Sequence, residues 1–283
     1  MYATDFEYAD KRLSDFGCIT CYLDEKSGTS EVDIGCDITF NTIKNNHSSI
    51  QYKTSTSYEN VYTTTFKIMK NPCRKSQDDL YMTYEEVRSL TRWLNRREYK
   101  KFKVLSEDMS EDIHYYGSFN IKELTISDRV VGLVLTFTGN APYGFGELIK
   151  NEFEFSEDYF SSTQGKASFY IYGDSDEFGV VYPTITIIPK VDCIDSAYEI
   201  ENLTTETKLV LRNIKKDEII TLDGEHKIII SSDAEHMKTL YNDFDYEWLD
   251  ILIEDFCQDN EYTVNAPSYI SIEYKPVRKV GVC

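Results

Sequence analysis

The amino-acid sequence predicts a mainly β protein with two β-sandwich-like domains, the first of which carries one α-helix. Short segments rich in Thr, Tyr and β-branched residues recur along the 283-residue chain, with turn signals between them. One segment in the first half, Tyr84–Arg97, has a clear helical pattern. A chain of this length is long enough for two domains that each bury a hydrophobic core.

A strand near mid-chain marks the predicted domain junction. In the stretch Val130–Glu147, both alternating sets of side chains up to Phe137 are largely apolar, which predicts a strand covered on both faces. The strand is expected to end at the turn signal Gly139-Asn140, after which Ala141-Pro142 imposes an extended backbone. Acidic segments rich in Phe and Tyr follow. We therefore predict a first domain over residues 1–143 and a second over residues 144–268.

Strands dominate the first domain. They are predicted at Gly17–Leu23, Val32–Phe40, Ile50–Ser57, Val61–Met69, Lys101–Leu105, Ile113–Tyr116 and Ile121–Ile126. The polar run Asn45–Ser49 is predicted as a loop.

The helix is predicted from its start signal and its apolar stripe. Thr83 can accept from the backbone amide of Glu86, while the Glu86 carboxylate reaches back to the amide of Thr83, which is a capping box. Val87, Leu90 and Leu94 fall on one face of the helix. A single apolar face predicts that the helix packs on a sheet.

The second half is predicted as a series of short strands, as in a β-sandwich. The strands are Asn151–Phe155, Ala167–Tyr172, Thr184–Pro189, Ala197–Glu201, Lys208–Leu211, Glu218–Leu222, His226–Ser231 and Tyr269–Tyr274. Asp223-Gly224 predicts a hairpin between two of them. The segment Asp243–Ile253 fits either a strand or a turn.

The charge balance excludes several classes of partner. The chain has 30 Lys and Arg against 49 Asp and Glu, a formal net charge of −19. Such a chain repels nucleic acid phosphates and anionic lipid. Its longest apolar runs are too short to span a bilayer, and its N-terminus lacks an apolar signal core. We therefore expect no nucleic acid partner, no membrane insertion, and a protein that stays in the cytosol of the cell that makes it.

No motif in the sequence predicts catalysis, a cofactor or a metal. There is no H-E-x-x-H, no Gly-rich phosphate loop and no G-x-S-x-G. Cys18 and Cys21 match C-x-x-C, but in a strand these positions point to opposite faces, so we expect free thiols. The histidines are expected at the surface or at strand edges; they are His47, His114, His226 and His236. We expect a protein that is not an enzyme.

Two features of the second domain are open to a functional interpretation. The run Asp174–Glu177 offers oxygen ligands for calcium, but the full calcium-loop pattern is absent, which favours a solvated acidic turn. Four aromatic residues fit either a sugar-stacking platform or ordinary sheet packing, and packing is the favoured interpretation. These residues are Tyr170, Tyr172, Phe178 and Tyr182.

Four motifs occur in a fixed order along the chain. They are Phe6-x-Tyr8 with Leu13–Gly17, the helix end Thr91–Leu94 followed by the strand Lys103–Leu105, the strand end Ala141–Tyr143, and the C-terminal block Leu222–Gly281. In this order, over nearly the whole length, they resemble the Dit-type distal tail proteins of long-tailed bacteriophages, the phage tail component family.

The resemblance implies a structural role. Such proteins form hexameric rings at the tip of the virion tail, where they join the tail tube protein to the tail tip or baseplate and carry receptor-binding proteins. It implies a ring-forming first domain to which a last strand, residues 269–283, returns, and a second domain similar to galectins or carbohydrate-binding modules. Assembly in the host cytoplasm is also implied. The alternative is a carbohydrate-binding adhesion module that recognises glycan, such as cell-wall carbohydrate, on the host surface.

A ring needs head-to-tail contacts made by edge strands or apolar surface. In the first domain, Ile50–Ser57 and Val61–Met69 are rich in Tyr and Thr and carry few charges. Tyr52, Tyr62 and Phe66 are therefore the predicted ring-interface residues.

Overall fold

A computed structural model gives the fold. It describes residues 5–21, 37–45, 48–57, 61–73, 77–105, 113–162, 165–194, 196–254 and 258–279. In chain order the strands are β1 (Asp5–Tyr8), β2 (Lys11–Arg12), β3 (Cys18–Cys21), β4 (Asp37–Asn45), β5 (Ser48–Ser57), β6 (Thr63–Lys70), β7 (Lys100–Leu105), β8 (Tyr115–Ile126), β9 (Arg129–Gly139), β10 (Gly144–Phe145), β11 (Ile149–Glu154), β12 (Ala167–Gly173), β13 (Gly179–Val181), β14 (Thr184–Pro189), β15 (Tyr198–Asn202), β16 (Thr207–Leu211), β17 (Ile220–Asp223), β18 (Ile228–Ser231), β19 (Ile251–Ile253), β20 (Gln258–Val264), β21 (Ser268–Tyr274) and β22 (Val277–Arg278). The α-helices are α1 (Tyr84–Leu94), α2 (Glu157–Ser162) and α3 (Leu240–Asp243).

The chain divides into two compact units, and the predicted mainly β fold class is confirmed. The first unit is Met1–Glu147 with Val277–Cys283, and the second unit is Leu148–Pro276. The division falls four residues after the predicted junction, because β10 pairs with β22 inside the first unit. All described strand pairs are antiparallel, which is consistent with the many short connections.

The first unit is built on a seven-stranded sheet in the order β2-β1-β7-β8-β9-β6-β3. Its core is largely aromatic. The Trp93 ring of α1 stacks on Phe6 and Phe16, with centroids 5.6 and 4.5 Å apart, and its indole N–H donates to the Tyr8 carbonyl at 2.7 Å. Phe102 packs against Phe6 and three other phenylalanine rings. One face of the sheet is therefore closed by α1 and by interlocking rings.

The helix begins as predicted and ends earlier. Thr83 Oγ1 accepts from Glu86 N at 3.3 Å, and Thr83 N donates to Glu86 Oε2 at 2.7 Å, so the capping box is confirmed. The helix ends at Leu94 rather than Arg97, because the backbone at Asn95 has left the helical region. The predicted strands Ile113–Tyr116 and Ile121–Ile126 lie largely within one long strand, β8.

The strand β9 is buried on one side and only partly covered on the other. Leu133, Leu135 and Phe137 point into the core and are fully buried. Thr136, which points the other way, is half-buried, and its hydroxyl lies 3.0 Å from that of Thr65 on β6. Among the described residues, the second face of β9 is therefore only partly covered, whereas full cover of both faces was predicted.

The second unit has a five-stranded sheet, β11-β21-β14-β17-β18, and a four-stranded sheet, β12-β20-β15-β16. Their inward side chains form one core, mostly aliphatic, in which Ile187 and Ile270 of the first sheet share the interior with Ile171 and Leu209 of the second. The hairpin predicted at Asp223-Gly224 joins β17 to β18. Two short helices, α2 and α3, were not predicted.

The predicted return of the closing strand is wrong for β21. This strand lies between β11 and β14 in the second unit. Ile270 and Ile272 are fully buried in the second core, and this burial determines where β21 pairs. Only the two-residue strand β22 pairs in the first unit. The loop predicted at Asn45–Ser49 is also shorter, because β4 extends to Asn45 and β5 begins at Ser48.

Candidate functional site

The outer face of the four-stranded sheet in the second unit carries two of the predicted sugar-stacking residues. Every second side chain of β12 is exposed, so Tyr170 and Tyr172 share a face, with 53% and 62% of their surface exposed. The Tyr170 hydroxyl donates to Glu261 Oε1 on β20 at 3.2 Å, and this hydrogen bond raises the pKa of the phenol. The pair therefore presents aromatic surface beside a carboxylate.

The other two candidates lie elsewhere in the second unit. Phe178 is 61% exposed and comes just before β13, which pairs with β19. One face of the Tyr182 ring is covered by the Lys227 ammonium, 3.2 Å from the ring centroid. The same ammonium lies 5.2 Å from the centroid of a Trp248 ring, and burial lowers the pKa of Lys227. Tyr182 thus belongs to a cation–π cluster.

Sequence reasoning missed this cluster for two reasons. Lys227 sits in the β17–β18 turn with a φ of 58°, so its direction depends on that turn. Trp248 lies in the segment 243–253, whose conformation was left open; the structure makes it largely irregular between α3 and β19. The available sequence signal for the cluster was a lysine in a predicted hairpin turn together with aromatic residues in neighbouring segments.

Two of the three predicted ring-interface residues pack inward. Tyr62 is buried and stacks on Tyr115, with centroids 4.5 Å apart. Phe66 is half-buried and meets Phe6 edge-on at 5.4 Å. The side chain of Tyr52, on β5, lies outside the described residues. The interface assignment stays a prediction, and the side chains of Tyr62 and Phe66 belong to the core of the first unit.

Two of the histidines expected at the surface or at strand edges, His114 and His236, are buried. His236 Nδ1 lies 2.5 Å from Glu218 Oε1, and its Nε2 lies 3.4 Å from Asp243 Oδ2. The Glu218 carboxylate also accepts from the Ser231 hydroxyl. These polar partners allow His236 to be buried. His114 forms a bridge to Phe145 and packs edge-on against Tyr116 at 5.4 Å. His226 is exposed, as expected, and His47 lies outside the described residues.

The groups that could carry chemistry have the following partners in the structure. The Ser231 hydroxyl donates to the Glu218 carboxylate, which also faces His236 Nδ1. Neither Cys18 nor Cys21, at the two ends of β3, forms a disulfide bond. Among the described residues, no group of three or more His, Cys, Asp or Glu side chains is placed to hold a metal ion. No helix in the described part of the chain is long and apolar enough to cross a membrane.

Family models cover nearly all of the chain. Residues 1–141 match a model described as phage tail protein N-terminal domain, and residues 143–274 match one described as phage tail C-terminal domain. The chain belongs to this family of phage tail proteins. No curated protein matches the sequence of this tail protein.

Solved structures show the fold of the tail protein. The Dit protein of phage SPP1 superposes with a TM-score of 0.60 at 13% identity, over 97% of this chain and 99% of that one. Chains of the phage P2 baseplate in its activated conformation, with Ca and with Sr, give a TM-score of 0.46 at 13% and 12% identity, over 96% of this chain and 98% of theirs. The resemblance to Dit-type proteins predicted from the sequence is confirmed in family and fold.

Proposed function

We propose that this tail protein forms a six-membered ring at the distal end of a phage tail. The ring joins the tail tube protein to the tail tip and to receptor-binding proteins, and it assembles in the host cytoplasm. The family match over both domains, together with the Dit fold, carries the proposal. The SPP1 Dit protein is described as a paradigm of a hub adsorption apparatus, and we extend that role to this chain.

The distribution of charge supports assembly through the first unit. The first unit has 20 Lys and Arg against 22 Asp and Glu, and the second has 10 against 27. The formal net charges are therefore −2 and −17. Copies of the first unit can approach one another with little repulsion, whereas copies of the second unit repel. This separation favours a ring whose contacts involve the first unit of every copy.

Electron microscopy of the purified full-length chain tests this function. We expect closed rings with six-fold symmetry at moderate salt, or on addition of the tail tube protein. Rings of another symmetry would correct the copy number alone. Monomers at high concentration, at every salt concentration and with the tube protein present, would overturn the proposal.

A second function, binding of cell-surface glycan by the second unit, is favoured by the exposed rings of Tyr170 and Tyr172 on one face of β12. A glycan array should give a signal that is lost in Tyr170→Ala and Tyr172→Ala. Tyr99→Ala is the matched control, because Tyr99 is also exposed but lies in the first unit. A signal that survives in all three variants would contradict this site.

A further inference from the structure

The outer face of the four-stranded sheet in the second unit places a carboxylate beside each of its two exposed tyrosines. Between β12 and β20, Tyr170 lies opposite Glu261, and Tyr172 lies opposite Asp259. Residues opposite each other in an antiparallel pair point to the same face of the sheet. The two tyrosines are about 7 Å apart along the strand, so a ligand of two or more sugar residues can contact both rings.

The strands that carry these side chains are held by the core of the second unit. Phe169 and Tyr262 alternate with them, point inward and stack with their ring centroids 5.1 Å apart. The backbone of Glu261 donates to Thr204 Oγ1 at 3.1 Å and accepts from the Leu203 amide at 2.7 Å. A face that is already rigid loses little conformational entropy when it binds a ligand.

Part of the charge on this face is neutralised in ion pairs. Lys166, just before β12, places its Nζ 3.2 Å from Glu201 Oε2 on β15. Lys208 Nζ on β16 lies 2.9 Å from Glu199 Oε2. These two lysines and two acids therefore add no net charge to the face.

The carboxylates beside the tyrosines are not neutralised. Among the described residues, neither Asp259 nor Glu261 has an ion-pair partner. The turn between β15 and β16, at the same end of the sheet, adds Glu206 and no Lys or Arg. Arg212, just after β16, lies about 20 Å further along the sheet, well beyond the screening length of about 8 Å at 0.15 M salt. The tyrosine end of the face is therefore anionic.

A buried hydroxyl on the same face lacks a partner. Thr263 follows Glu261 by two residues and lies between Ser168 and Glu201 on the neighbouring strands. It is only 9% exposed, and its Oγ1 has no hydrogen-bond partner among the described residues. Buried hydroxyls without a partner are uncommon in proteins. A hydroxyl or ammonium group of a bound sugar is a suitable partner for it.

We propose that this face binds a glycan that carries free amino groups, such as a chain of unacetylated hexosamines. The rings of Tyr170 and Tyr172 stack on the C–H faces of the sugars, and the ammonium groups pair with Asp259 and Glu261. An ammonium group over an aromatic ring adds a cation–π attraction. The same carboxylates repel anionic glycans. The proposal rests on the glycan-binding function proposed above and specifies the charge of its ligand.

Isothermal titration calorimetry of the full-length chain with two oligomers of equal length tests the proposal. The glucosamine hexamer carries an amino group on every sugar, whereas the N-acetylglucosamine hexamer carries none. At pH 6, at which these amino groups are charged, and at low salt, the glucosamine hexamer should bind about tenfold more tightly. The difference should shrink as the salt concentration rises, because the ion pairs are exposed.

A double variant tests the two carboxylates directly. Asp259→Asn with Glu261→Gln removes both charges and keeps an acceptor for the Tyr170 hydroxyl, so the two hexamers should bind with equal affinity. Asp217→Asn with Glu225→Gln is the matched control, because these exposed residues flank β17 in the other sheet of the second unit. The control removes the same charge from the chain and should keep the tenfold preference. Circular dichroism checks that both variants are folded.

Three outcomes would overturn the inference and leave glycan binding in place. They are equal binding of the two hexamers by the unmodified chain, tighter binding of the acetylated hexamer, and a preference that survives in Asp259→Asn with Glu261→Gln. A glycan array signal confined to glycans without amino groups has the same consequence. Absence of any signal on the array and of any binding in calorimetry would overturn the glycan-binding function and the inference with it.

Discussion

The two units of the tail protein differ in what they bury as well as in charge. The first unit buries interlocking aromatic rings, centred on Trp93 and Phe102, beneath a nearly neutral surface. The second unit buries mainly Ile, Leu and Val between two sheets and carries most of the negative charge of the chain. Aromatic rings pack with specific mutual geometry, which suits a unit that must present fixed contact surfaces. The difference supports the proposal that ring contacts involve the first unit.

Truncation should have the largest effect, because it separates the strands that belong to each unit. A chain that ends after Pro267 loses β21, which pairs with both β11 and β14, and the second unit should not fold. A chain that ends after Pro276 loses β22 and the residues after it, and it should destabilise only the first unit, slightly. Each unit has one tryptophan, Trp93 or Trp248, so fluorescence during urea unfolding reports on both. An unchanged Trp248 transition in the shorter chain would contradict the assignment of β21.

Removing a ring from the aromatic core should affect the first unit alone. Phe102→Ala deletes a ring whose centroid lies 4.4 Å from that of Phe137, and it should cost about 3–5 kcal/mol of unfolding free energy. A milder change in the second core, Ile187→Val, removes one methyl group and should cost about 0.5–1.5 kcal/mol of unfolding free energy. In the Phe102→Ala variant, the Trp93 transition during urea unfolding measures the first unit and the Trp248 transition measures the second. A shift of the second unit by Phe102→Ala would show that the two cores are not independent.

The buried polar cluster should contribute a smaller amount to the second unit. Glu218→Ala leaves the Ser231 hydroxyl, the Lys215 amide and His236 Nδ1 without their acceptor, and this should cost about 1–3 kcal/mol. This loss of stability is measured by urea unfolding, with Trp248 fluorescence as the signal. Glu225→Ala, in the exposed turn after β17, is the control and should change stability little. Equal stability of both variants would contradict a structural role for the cluster.

The smallest predicted effect is on the stability of the second unit at acid pH. The Lys215 ammonium, and then the amides of Glu235 and His236, lower the pKa of Asp233 to about 2. The pKa of Asp in the unfolded chain is about 3.9, so this carboxylate stabilises the second unit above about pH 4, and the stabilisation is lost as pH falls toward 2. Asp233→Asn should therefore flatten the acid limb of the stability profile, with little change in its shape above pH 5. An unchanged acid limb would exclude Asp233 as a contributor.

The sequence predicted the features that depend on local chemistry. The capping box at Thr83, the strand end at Gly139 and the hairpin at Asp223-Gly224 all follow from short-range hydrogen bonds and backbone preferences. The ordered motifs, rather than any single element, indicated the Dit-type family.

Features that depend on distant partners could not be predicted in this way. The alternation of β21 showed that one face is buried, but not which core buries it. His236 became buried because Glu218 and Asp243, 18 and 7 residues away, face its two ring nitrogens. The inward direction of Tyr62 depends on its stacking with Tyr115, which is far away in the sequence. The strain at Tyr246 has no sequence signature, since a φ of +63° is rare for Tyr.

Sedimentation velocity of the full-length chain across salt concentrations tests the proposed division between an assembling unit and a repelling unit. The screening length falls from about 30 Å at 0.01 M salt to about 8 Å at 0.15 M, so repulsion between second units weakens steeply over this range. We expect monomers at the lower concentration and a single ring species at the higher one. Assembly that is strongest at the lowest salt concentration would contradict the division, because it would mean that repulsion between the second units does not control assembly.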